Sequence, residues 1–266
     1  CAWTLGRYAA WAVQQVQSGA QGHLLAQISE LLLQRMQPTS STTMNHHHHH
    51  HHHHAAKVQV ACGSAFGVIV EQAGDLMVPY LDPIYHGIIN ILPHVRGRPL
   101  LVLLDLLGIL ADCIGPAIGE GHLPNLYIPP LLHLWNSLAR NDPSDKTLLP
   151  LLESLASISV ATGHNFQPYA LECLENCLAM IEAVQLQIAM DQDATTTTTG
   201  NTTTATMIPD EDADPIVCAV DLIDGMVEGL GESFRALLAS STKYGPNFLS
   251  VLLMLCRHDA SGVRMS

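Results

Sequence analysis

Along most of the chain, Leu, Ile, Val and Ala recur at the three- and four-residue intervals that gather them on one face of a helix, while the two-residue alternation of a strand is nearly absent. Runs over 58–74, 100–114, 148–162 and 216–230 predict apolar helices enriched in Ala, Gly and Ser. Each is paired with a more amphipathic, leucine-rich helix. Three of those partners are marked near their start by proline, at Val78-Pro79-Tyr80-Leu81, Ile128-Pro129-Pro130-Leu131 and Gln167-Pro168-Tyr169. The first helical turn is where a missing N–H costs least. The marks lie about 40–50 residues apart, the spacing of arrays built from stacked helix pairs.

That period predicts an all-α fold, a HEAT-repeat α-solenoid in which antiparallel helix pairs stack into a superhelix. Near the end, Asp259 is followed four residues on by Val263-Arg264, a spacing found where the second helix of such repeats begins. The chain divides as 1–17, the second helix of a truncated repeat; 18–75, a repeat with a low-complexity His-rich insertion over 38–56; repeats over 76–119 and 120–164; 165–232, a repeat with a Thr-rich loop over 191–209; and 233–266, a truncated repeat. The insertion holds nine histidines, His46 to His54. It reads as a metal- or pH-sensitive loop, as a solvated inter-helix insertion or as a tag, and its internal position favours a native insertion. The chain opens without Met or a charged-then-apolar leader, and it reads as a stretch of a longer array with no visible targeting segment.

Composition narrows the function. The 266 residues are 48% hydrophobic, which excludes disorder over most of the length, and the net charge of −13 argues against holding nucleic acid through its phosphates. An acidic surface suits basic partners. Seven scattered cysteines, with no dense framework, read as reduced, buried thiols of an intracellular protein. The run 99–119 is long enough to raise a membrane span, but Asp105 and Asp112 lie inside it, so a buried helix without membrane insertion is expected. No phosphate-binding loop, nucleophile elbow or zincin pair is present, which points away from an enzyme. Cys173 and Cys177 share a helix face without a second ligand pair, so they read as core or groove thiols and no metal is expected. His122, His133 and His164 read as isolated surface or capping residues.

The carboxylates stand out because they interrupt apolar second helices. Asp105 and Asp112 are seven residues apart, as are Asp214, Asp221 and Glu228, so each set stays within about 20° per heptad of one line. Glu71 and Glu153 occupy comparable places in their own helices. If second helices line a concave side, these acids form a ladder on it; the plainer reading is a solvated face, with Asp214 favouring a helix N-terminus. Trp3 and Arg7 are one turn apart and make a wall for an aromatic or prolyl side chain, whereas Trp11 and Trp135 read as core packing.

Several segments in order, Cys1-Ala-Trp-Thr-Leu-Gly-Arg-Tyr-Ala-Ala-Trp11, Ala61-Cys-Gly-Ser-Ala-Phe66, Leu76-Met-Val-Pro-Tyr-Leu81, Asp105-Leu-Leu-Gly-Ile-Leu-Ala-Asp112, Pro150-Leu-Leu-Glu153 and Asp221-Leu-Ile-Asp-Gly-Met-Val-Glu-Gly-Leu-Gly231, resemble successive helices of the karyopherin-beta-2, or transportin, branch of the importin-beta superfamily. The resemblance runs from Cys1 to Ser266, fails at the His tract and is loose through the Thr-rich loop; Ala2 stands where the family motif has Cys. It implies a nuclear import receptor, needing no cofactor, that shuttles between cytoplasm and nucleus through nucleoporin-lined pores. Cargo proteins with basic, Pro-Tyr-ended nuclear localisation signals would bind its concave arch, and Ran-GTP, bound to an N-terminal arch outside this stretch, would release them. By motif, the resemblance makes Trp3 and Arg7 contacts for the Pro-Tyr end of the signal. It makes Glu71, Asp105, Asp112, Glu153, Asp214, Asp221 and Glu228 contacts for the signal's basic residues. The alternative class is a HEAT-repeat scaffold subunit that organises a protein complex, which accounts for the repeat but not for the aligned acids.

Overall fold

A computed structural model describes residues 2–37, 48–142, 145–196, 210–241 and 248–255. Among the described residues every regular element is helical and there is no strand. The fold is all-α, of the HEAT-repeat type. It divides into two compact units, residues 1–137 and 138–266.

The first unit holds α1 (Ala2–Arg7), α2 (Ala9–Gln17), α3 (Leu24–Met36), α4 (His48–Ala73), α5 (Leu81–Ile91), α6 (Arg98–Ile114) and most of α7 (Leu123–Asn141). α4 packs against α1, α2, α3 and α6. Small residues let it come close: a Cβ on Gly63 would stand 2.5 Å from Val102 Cγ1, and one on Gly67 would stand 2.9 Å from Ile109 Cδ1. α6 is bounded by Gly97 and Gly115, both at positive φ, with Pro99 in its first turn. Together with the turn that follows it, α6 is apolar and long enough to cross a membrane by composition. The chain instead lays α6 along α4, burying Leu100, Leu103, Leu104, Leu107 and Leu110 while Leu101, Asp105 and Asp112 remain exposed. Trp135 and the stacked pair Tyr85 and Tyr127, with ring centroids 4.3 Å apart, are buried in this unit.

The second unit holds the end of α7, then α8 (Leu148–Thr162), α9 (Gln167–Thr196), α10 (Asp210–Leu230), α11 (Ser233–Ser240) and α12 (Phe248–Leu255). α10 lies against both α8 and α9. Its contact with α8 is backbone-close, because Gly225 faces Ser159 Oγ and the Ala156 carbonyl, and Gly229 abuts the Ser159 carbonyl. Such an approach leaves no room for a Cβ.

Several boundaries differ from the sequence expectation. α4 starts at His48, inside the segment read as an insertion, and α9 continues to Thr196, inside the segment read as a Thr-rich loop. Both are extensions of long helices whose intrahelical bonds propagate once the packed part has formed. Residues 38–47 and 197–209, as well as Asp259 and Val263-Arg264, lie outside the described residues. Pro129 and Pro130 do not open α7 but sit within it, and Pro215 sits within α10. The single helix expected over 1–17 is broken at Tyr8 into α1 and α2.

Candidate functional site

The seven candidate acids, Glu71, Asp105, Asp112, Glu153, Asp214, Asp221 and Glu228, are all exposed. The apolar neighbours that made Asp105 look interior in sequence, Leu104 and Leu106, are buried on the other side of α6. A helix that is apolar around most of its circumference carries its acids on the remaining strip. Among the described residues, none of the seven forms an ion pair with Lys, Arg or His.

Packing of successive second helices gathers some of these carboxylates within each unit. In the first, Glu71 on α4 and Asp112 on α6 both act on the half-buried Cys113, whose thiol pKa is pushed up first by burial and then by those two charges. In the second, burial pushes the Cys218 thiol up to about 12, helped by Glu153 on α8 and by Asp221 and Asp214 on α10. Cys218 Sγ lies 4.0 Å from Glu153 Oε1. The Asp221 carboxyl is itself raised above its ordinary range, by partial burial first and by the Asp224 charge second. In each unit, then, acids from two successive second helices act on one thiol, one from each helix in the first unit and one with two in the second. Asp105 and Glu228 stand one heptad from Asp112 and Asp221 on the same helix faces.

Trp3 is 73% exposed, and Arg7 Cζ lies 5.4 Å from its ring centroid, a cation–π geometry. α1 is held by Gly6, where a Cβ would stand 3.6 Å from Ala65 Cα of α4. Trp11 is 51% exposed, against the expectation of core packing, since α2 buries Ala9, Ala12 and Val13 instead. Trp135 is in the core as expected.

Sequence reasoning missed the exposed aliphatic residues among the acids. Val68 precedes Glu71 by three residues, Leu101 precedes Asp105 by four, Val227 adjoins Glu228, and Val160 lies seven after Glu153. Their helix spacing to the acids was the available signal, masked because nearly every neighbour is also apolar. Cys173 and Cys177 are buried thiols raised by desolvation and belong to the core. His122 is not isolated: its Nε2 lies 2.6 Å from Asp82 Oδ1, and His86 Nδ1 lies 3.5 Å from Asp82 Oδ2.

No family model matches the chain. Curated relatives do. It is 31% identical over 264 residues to a protein named Transportin-1 from Oryza sativa subsp. japonica, covering 99% of this chain and 26% of that protein. It is 31% identical over 265 residues to Importin subunit beta-2 of Schizosaccharomyces pombe, again covering 99% of this chain and 26% of the relative. To human Transportin-1 it is 28% identical over 264 residues, 99% of this chain and 25% of that protein. The chain spans about a quarter of the length of these relatives. Over 99% of its length the chain is a homologue of proteins named Transportin-1 and Importin subunit beta-2.

Proposed function

We propose that the chain is the cargo-signal-binding stretch of a nuclear import receptor, a binding module and not an enzyme. It binds extended basic peptides, of the class that ends in Pro-Tyr, along its exposed acidic helix faces. What supports this reading is the repeated placement of exposed carboxylates, without ion pairs among the described residues, on packed second helices: Glu71 and Asp112 both raise the Cys113 thiol, and Glu153, Asp221 and Asp214 the Cys218 thiol. Exposed acids with no ion-pair partner among the described residues leave negative helix faces that a Lys- or Arg-rich peptide can neutralise. Asp105 and Glu228 extend the two faces. Val68, Leu101, Val160 and Val227 offer aliphatic contact for the peptide's stems, and Trp3 with Arg7 forms the anchor for its aromatic end. A scaffold subunit would need the repeat but would not need these charges.

In the full-length protein this stretch would act with Ran-GTP, bound elsewhere, as the release signal, and with nucleoporins during passage between cytoplasm and nucleus. Titration of a fluorescent basic Pro-Tyr-ended peptide into the chain, followed by anisotropy, tests the reading. Saturable binding that is lost when the peptide's basic residues become Gln supports it. Equal binding of the neutral peptide, or none of the basic one, overturns it.

A further inference from the structure

In the first unit charge is graded along the packed second helices, and the basic end of that gradient has no part in holding a basic signal. Lys57, Ser64 and Glu71 on α4 are spaced by heptads and all exposed, as are Arg98, Asp105 and Asp112 on α6. A heptad drifts by only about 20° on a straight helix, so each set forms one exposed stripe. The two helices run in the same direction: Gly63 faces Val102 and, further along both, Gly67 faces Ile109. Followed outward from these contacts, Lys57 stands level with Arg98, and Glu71 with Asp112, to within about one turn. The acidic ends do meet, since Glu71 and Asp112 both raise the Cys113 thiol. Among the described residues neither Lys57 nor Arg98 forms an ion pair. Local stability does not account for Arg98 either. It is the first residue of α6, where the helix dipole disfavours a cation, and the first turn holds no acid to offset it.

We infer that Lys57 and Arg98 form a basic rung that selects peptides of asymmetric charge, with a Lys/Arg cluster held at Glu71 and Asp112 and an acidic pair about six or seven positions away held at Lys57 and Arg98. The inference rests on the receptor reading proposed above and narrows its substrate class. On each helix fourteen residues separate the base from the acid, about 21 Å at 1.5 Å per residue. An extended chain advances about 3.3 Å per residue, so six or seven residues bridge the two rungs. Between the rungs Ser64, Val68 and Leu101 offer small and aliphatic surface to the linking residues. The same two bases repel a uniformly basic peptide at their end. They therefore fix which end of the peptide's charge gradient lies at which end of the helices.

The experiment uses three fluorescent peptides that share one Lys/Arg cluster ending in Pro-Tyr. One carries a Glu-Glu pair six neutral residues from the cluster, one carries Gln-Gln there, and one carries Glu-Glu beside the cluster. Each is titrated by anisotropy at low salt into the chain, into Lys57→Gln/Arg98→Gln and into the charge-keeping Lys57→Arg/Arg98→Lys. The spaced Glu peptide should bind the chain about threefold more tightly than the Gln peptide, the size expected of two exposed ion pairs. Net charge alone predicts the opposite order, since the chain carries −13. The adjacent Glu peptide should bind more weakly than both. The preference for spaced acids should vanish in Lys57→Gln/Arg98→Gln and persist in Lys57→Arg/Arg98→Lys, which keeps the test decisive if the first variant folds poorly. Binding of the Gln peptide by the chain with no preference for spaced acids, or a preference that survives loss of both bases, would overturn this inference and leave the receptor reading standing. Failure of all three peptides to bind would overturn both.

Discussion

The Sγ of Cys218 on α10 lies 4.0 Å from Oε1 of Glu153 on α8. This contact joins two successive second helices at the point where their acids meet, and it makes the thiol a reporter of the local charge. Burial is the largest reason that the Cys218 thiol is raised to about 12, and Glu153 is the largest of the charged contributions. Glu153→Gln should therefore lower that pKa and shift the pH dependence of Cys218 alkylation, followed by peptide-resolved mass spectrometry, to lower pH. An unmoved profile would show that the two groups do not interact. The linkage has a definite sign. A thiol whose folded pKa is raised from 9.0 to about 12 contributes stability that is intact below about pH 9 and is lost as pH rises toward about 12, because the folded state holds its proton longer.

The same helix pair yields a stability prediction. Gly229 abuts the Ser159 carbonyl, which is backbone and cannot rotate away, whereas Gly63 faces side-chain atoms, Val102 Cγ1 and Met36 Cε. Gly229→Ala should cost about 1–3 kcal/mol through forced separation of α8 and α10, and Gly63→Ala clearly less despite the helix-favouring change. Urea denaturation of both variants checks the order. Equal or greater stability of Gly229→Ala would mean that the two helices are not held at this distance.

The fold was largely legible, since the apolar period of 100–114 and 148–162 gives α6 and α8 to within a few residues. A proline pair such as Pro129 and Pro130 ordinarily marks a helix start, but here packing of Tyr127, Ile128, Leu131 and Leu132 carries α7 through it. The helices reach His48 and Thr196, beyond what their sequence suggests, because residues of weak propensity can continue a helix that tertiary contacts have already nucleated. At the site, the acids were legible as interruptions of an apolar pattern. Their gathering around Cys113 and Cys218 was not, because it depends on how neighbouring helices pack. The exposure of Trp11 is not legible in sequence, because a Trp at helical spacing fits a core face and an exposed face equally well.

Trp3 is largely exposed with Arg7 over its ring, so Trp3→Ala should leave the thermal transition nearly unchanged. For a Pro-Tyr-ended peptide, loss of an indole anchor should cost about 2 kcal/mol, which is roughly a thirtyfold rise in Kd. Calorimetric titration and a melting curve on the same sample separate the two effects. Unfolding of the variant with normal binding by the folded fraction would make Trp3 a packing residue.

The acid faces make the sharpest separation between a receptor and a scaffold. Asp105→Asn with Asp112→Asn keeps size and hydrogen-bonding capacity while removing two charges from α6, so stability should hold. At Asp221 the expectation goes further. Its carboxyl is raised by burial and by Asp224, which means that the folded state disfavours its charged form, so Asp221→Asn should raise the melting temperature at neutral pH or leave it unchanged. Binding should move the opposite way. A basic signal peptide should associate more slowly with each variant and show a shallower dependence of affinity on salt, because fewer charges remain to be screened. Combining Asp221→Asn and Glu228→Gln with the α6 pair should add to the loss, as the two pairs lie on different helices. Stopped-flow association and equilibrium titration at low and physiological salt read both quantities. A carboxylate that costs stability and gains nothing in binding would have no role in recognition, so unchanged rates and an unchanged salt slope would favour the scaffold.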